Sequence, residues 1–101
     1  MIAALDLADQ VYYSAASVWE LSIKQSLGKL KLSGPISGFA EQSRFLELPV
    51  TADYAEAAAR LPLHHRDPFD RMLVAQAMTE GLVLITADRR LSSYDLKTLM
   101  V

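Results

Sequence analysis

Cysteine is absent from this 101-residue chain, which excludes disulfides, thiolate metal sites and thiol catalysis and fits a reducing cytoplasm. Also missing is any apolar run near the roughly 20 residues of a membrane span, and the first residues lack the basic stretch that opens a signal peptide. A soluble cytoplasmic protein with no membrane partner is the expectation. Charge excess is lacking too: 10 basic and 12 acidic side chains give a formal charge of -2, so affinity for RNA or DNA has to come from a local patch. There is no glycine-rich phosphate loop, and no nucleophile motif surrounds Ser14 or Ser17. Repeats, low-complexity tracts and linkers are likewise missing.

What is present is a 51% hydrophobic chain of a length suited to one core and one domain, 1–101. Helical and extended patterns alternate, which predicts an α/β fold with a mostly parallel sheet flanked by helices. "MIAALDLAD" reads as the last turns of a helix and "QVYY" as a strand. Ser14 then caps a helix from Ala15 to about Leu27, closed by Gly28. "KLKL" is extended or a short turn, and Pro35 opens a helix reaching roughly Phe45. "FLELPV" is strand-like, and Thr51 caps a helix through Leu61 that Pro62 ends. A helix over 68–80 stops at Gly81, the apolar run 82–86 has the character of a buried parallel strand, a short polar helix or turn covers Asp88 to Tyr94, and "TLMV" is extended.

Three acids stand out. In "HHRDPFDRMLVAQA", Asp67 is a favoured N-cap, Pro68 a favoured first helical residue, and Asp70 a third-position carboxylate that suits the helix dipole. Capping alone would account for both. The helix wheel sets Asp70 apart, because it shares a face with the apolar Leu73, Val74 and Ala77. A carboxylate on a core-facing stripe needs a partner or a cation, and Arg66 and Arg71 are the nearby ion-pair candidates. Asp88 falls just past the 82–86 strand, where open α/β sheets place ligands, although it also suits a cap for the turn at Arg89. Glu20 lies at the edge of a stripe of Ala16, Trp19, Ile23 and Leu27, which reads as core; its plain alternative is a surface pair with Lys24. His64 and His65 read as solvent-exposed loop residues, since no third ligand accompanies them. Three acids near element ends suit a hard cation such as magnesium or manganese, with nucleic-acid hydrolysis as the matching chemistry.

"VYYSAASVWELSIKQSLGKLKL" together with "HHRDPFDRMLVAQA" and "LVLITAD" resembles the PIN domains, and within them the VapC-like toxins of bacterial toxin-antitoxin pairs. The resemblance implies a PIN-like parallel sheet and a metal-dependent endoribonuclease that takes Mg2+ or Mn2+, cleaves RNA, forms homodimers and is silenced by an antitoxin protein. Carried over by residue, it assigns metal-binding and catalytic roles to Glu20, Asp70 and Asp88 and a supporting role to Thr86. Arg66, Arg71, Arg89 and Arg90 become candidates for RNA phosphate contacts, with solvated surface arginines as the plain alternative. One departure stands against these matches. The family opens with an apolar strand ending in a ligand aspartate, and here Asp6 and Asp9 fall on the expected helix tail, so neither substitutes. The chain therefore reads as an N-terminally truncated, partial PIN domain. The alternative function is a catalytically inactive domain that acts only in dimerisation or antitoxin binding.

Overall fold

Helix α4, Pro68–Glu80, has boundaries set by local chemistry at both ends. At its start Asp67 Oδ1 accepts the free N–H groups of Phe69 (2.8 Å) and Asp70 (3.3 Å), and Pro68 needs no partner for a missing N–H. At its end Gly81 adopts a left-handed conformation, φ 67°, which costs glycine no Cβ clash. Leu73, Val74 and Ala77 on one side of α4 join Leu84, Leu91 and Tyr94 in the main buried cluster.

The computed structural model describes residues 3–6 and 10–101, apart from the side chains of Ala3 and Leu5. Among them the order is β1 (Ala3–Leu5), β2 (Val11–Ser14), α1 (Ala15–Ser26), α2 (Ile36–Gln42), β3 (Leu46–Leu48), α3 (Ala52–Arg60), α4, β4 (Val83–Thr86), a 3-10 turn (Arg89–Ser93) and β5 (Thr98–Met100). The five strands form one sheet in the order β3-β2-β1-β4-β5. β2 with β3 and β4 with β5 run parallel. The α/β architecture with helices against a sheet is thus the expected PIN-like fold. Ser14 and Thr51 cap α1 and α3 through their side-chain oxygens, as their positions in the sequence predict.

The segment expected to end a helix is strand β1 instead, and it pairs antiparallel with both β2 and β4. Ala3 faces Tyr13 on one side and Ile85 on the other, so β1 occupies the middle of the sheet and the inner edges of β2 and β4 are paired. Asp6 follows β1 at the end paired with Val11 and Val83, away from the carboxyl end of β4. There its carboxylate accepts the Gln10 N–H (2.9 Å) and the Tyr12 hydroxyl (3.0 Å). Asp9 lies outside the described residues.

Trp19 is a second correction. It is 65% exposed, and Ile23 and Leu27 on the same stripe are exposed as well, so only Ala16 of that stripe is buried. Periodicity identifies residues that share a helix face, and this face stays largely open, with Trp19 edge-on to Phe69 of α4.

Candidate metal centre

Thr86 ends β4 as a buried residue, and its hydroxyl oxygen accepts the Asp88 N–H at 3.0 Å. That bond turns the chain at the carboxyl end of the strand and holds Asp88 beside the start of α4. Asp70, in the first turn of α4, faces it. Between the two lies the imidazole of His65, with Nε2 3.0 Å from Asp88 Oδ2 and 3.3 Å from Asp70 Oδ2. One ligand-type atom from each of His65, Asp70 and Asp88 falls within 4.8 Å of the others.

His65 is buried and departs from the expectation of an exposed loop histidine, whereas His64 is exposed with its ring edge-on to Tyr94 at 4.9 Å. Adjacent side chains point in opposite directions, so one member of the pair turns into the protein when the loop lies against it. Here the loop before α4 is drawn in by Tyr94, whose hydroxyl accepts the His65 N–H at 3.1 Å. Arg71 completes the clamp. Its guanidinium donates to the carbonyls of Ala58 (2.8 Å), Leu61 (3.0 Å), Pro62 (3.1 Å) and His65 (3.3 Å), and to the Tyr94 hydroxyl (3.3 Å). Leu61 and His65 offer carbonyls that take no backbone donor, whereas those of Ala58 and Pro62 already accept the Leu61 and His64 N–H groups and gain Arg71 as a second donor. Arg71 is therefore a helix-end and loop clamp; its donors do not face an RNA phosphate and it does not pair with Asp70.

Electrostatics separate the two aspartates. Burial pushes the Asp70 carboxyl above its ordinary value, and the negative charge of Asp67 adds to this; His65 opposes it, while Glu20 and Asp88 raise it further. Asp88 is held well below the usual carboxylate range, first by the Arg90 side chain and then by the Arg90 backbone N–H. Arg90 Nε donates to Asp88 Oδ1 at 3.0 Å and Nη2 donates to Oδ2 at 2.8 Å, while the Arg90 N–H also reaches Oδ1 at 3.0 Å. Counting His65, the Asp88 carboxylate accepts four hydrogen bonds, close to its full capacity. Asp88 thus caps the 3-10 turn and at the same time lies within the His65–Asp70 cluster.

Glu20 stands apart from the close cluster. It lies in α1 with Lys24 Nζ 3.8 Å away and lines an open groove of about 540 Å3 together with Arg66, Asp67 and Phe69. Its charge nonetheless reaches Asp70. Arg66 and Arg89 are exposed. The donor set of Asp70 and Asp88 is hard oxygen, and such oxygen suits magnesium or manganese more than a soft metal.

A parallel-paired β4 delivering an acid at its carboxyl end, opposite a second acid on the next packed helix, defines the class. The PIN domain model matches residues 2–97, and the chain belongs to that family as a VapC-like member. Over 94 residues it is 31% identical to ribonuclease VapC22 of Mycobacterium tuberculosis (strain ATCC 25618 / H37Rv), which covers 90% of this chain and 72% of that protein. No solved structure matches. No helix among the described residues is long and apolar enough to cross a membrane.

Proposed function

We propose that this protein is a divalent-metal-dependent endoribonuclease of a toxin-antitoxin module, with Asp70 and Asp88 holding Mg2+ or Mn2+ and Glu20 serving the same site from α1. The observation that carries this reading is the approach of Asp70 and Asp88 to one point beside His65, in a chain of the PIN family. A bound hard cation supplies charge to the phosphodiester and lowers the pKa of an attacking water. The chain's own part is to bring anionic ligands together, and α4 and β4 do so by placing the first turn of one beside the last residues of the other. Thr86 fixes the turn that presents Asp88. Arg66, Arg89 and Arg90 are exposed around this end and suit RNA phosphates.

The proposed partners are RNA and a cognate antitoxin protein, with a second copy of the chain in a homodimer; the proposed location is the cytoplasm. The exposed apolar side chains of Trp19 and Ile23 on α1 and of Leu27 just past its end supply surface for protein partners. One observation favours a second reading, partner binding without turnover: Asp88 is saturated by Arg90 and His65, and Glu20 lies outside the close cluster.

Calorimetric titration of the purified chain with MnCl2 and MgCl2, followed by cleavage of a defined single-stranded RNA, tests the proposal. Saturable binding and cleavage, both lost in Asp70→Asn, are expected. A folded chain that neither binds metal nor cleaves leaves partner binding as the function.

A further inference from the structure

His65 belongs geometrically to the acid cluster, yet its other ring nitrogen is committed. The Asp67 N–H donates to His65 Nδ1 at 3.0 Å, so Nδ1 carries a lone pair and the ring proton sits on Nε2, the atom facing Asp88 and Asp70. The opposite tautomer would set two N–H groups against each other. With Nδ1 occupied and Nε2 protonated, the ring has no free lone pair to offer a cation. The backbone of the residue is fixed on both sides, by its N–H on Tyr94 and its carbonyl on Arg71, so the ring direction is set before any ligand arrives.

We propose that His65 is a positioning residue and not a metal ligand: as a neutral Nε2–H donor it hydrogen-bonds Asp88 Oδ2 and keeps it beside Asp70 Oδ2, which lies 3.3 Å from the same nitrogen. This rests on the reading of Asp70 and Asp88 as cation ligands. Two carboxylates brought this close repel, and something must hold them there. A lysine or arginine at this place would do so while cancelling charge and competing with the incoming cation. A neutral imidazole N–H restrains this side of the pair without adding a second positive charge to that of Arg90, which already sits on Asp88. The arrangement places the donor in a buried residue whose exposed neighbour, His64, has no part in it.

The chain has 2 histidines, so long-range 1H–15N correlation spectra, assigned with His64→Gln, read the His65 tautomer directly. The Nε2–H form is expected in the metal-free protein and unchanged at saturating Mg2+. Magnesium titrations of His65→Gln, which keeps a neutral N–H donor at similar reach, and of His65→Phe, which keeps a ring without one, provide the second readout. Affinity is expected within about threefold of the parent for Gln and ~10–100-fold weaker for Phe. An Nδ1–H form, loss of the Nε2 proton on adding Mg2+, or equal weakening in Gln and Phe would overturn the proposal. If His65→Phe does not fold, the parent spectra and His65→Gln decide. A parent protein that binds no Mg2+ defeats the metal-site reading instead, and the metal-free tautomer then decides His65's role as a donor.

Discussion

Arg90 grips Asp88 from two residues away, its Nε and Nη2 each on a different carboxylate oxygen at 3.0 and 2.8 Å. A cation approaching Asp88 therefore meets a guanidinium already in place. Arg90→Gln is expected to strengthen Mg2+ binding, on the order of 3–10-fold, because a charge-assisted pair no longer competes. The same change is expected to weaken RNA binding and reduce its salt dependence, because a phosphate-seeking charge is lost. Calorimetry with Mg2+ and filter binding of RNA at two salt concentrations separate the two effects.

Asp70 makes stability depend on pH in an unusual sense for a carboxylate. Its folded-state pKa lies above the ordinary 3.8, so the folded chain holds the proton more tightly than the unfolded one. Its favourable contribution is present below the unfolded value and is lost as pH rises through the raised one. In metal-free buffer, Asp70→Asn is expected to melt higher than the parent at pH 7, with the difference closing toward pH 3. A lower melting temperature at pH 7 would contradict the assignment of burial as the dominant cause. Asp88 works oppositely: its depressed pKa stabilises the fold above the ordinary value and ceases to do so as acid protonates it.

Arg71 predicts a large cost from a residue that touches no proposed ligand. Arg71→Ala leaves the Leu61 and His65 carbonyls without their donor, removes the second donor of Ala58 and Pro62, and frees Tyr94 and the His65 loop, so a loss of about 2–4 kcal/mol is expected in urea unfolding. Arg71→Lys is expected to recover less than half, because a point-like ammonium does not reproduce the planar fork.

Trp19 predicts the reverse. A core tryptophan truncated to alanine typically costs ~3–5 kcal/mol, whereas this one keeps mainly an edge contact with Phe69, worth about 0.5–1.5 kcal/mol. Trp19→Ala is expected to change unfolding free energy at that lower level. A cost in the upper range in the isolated chain would show that α1's apolar face is covered in solution, and sedimentation would identify a second copy as the cover.

Much of this fold is legible in the sequence because its signals are local. Asp67, Pro68 and Gly81 delimit α4 through their own backbone chemistry, and Ser14 and Thr51 do the same for α1 and α3. β1 was not legible: Ala3-Ala4-Leu5 has no β-branched residue, and its strand character comes from pairing on both sides with residues 11–13 and 83–85. Asp70's inward direction follows from helix geometry, but the identity of its neighbour does not. His65 reaches it because Tyr94, distant in sequence, and Arg71, on the following helix, hold the intervening loop inward. Sequence pattern likewise grouped Trp19 with Ile23 and Leu27 and pointed to core, because a shared apolar face carries no information on whether an element packs against it.

The three-residue β1 is the one strand hydrogen-bonded to both halves of the sheet, to β2, which runs into α1 and Glu20, and to β4, which runs into Asp88. Its pairing acts as a spacer gauge: slipping it by one residue against either neighbour would shift one acid-bearing half along the strand direction by about 3.3 Å, more than the length of a metal–oxygen bond. The shortest central rung thereby sets the alignment of Glu20 with Asp88, so substitutions at Ala4, a buried β1 residue outside the cluster, bear on the assembly of the site.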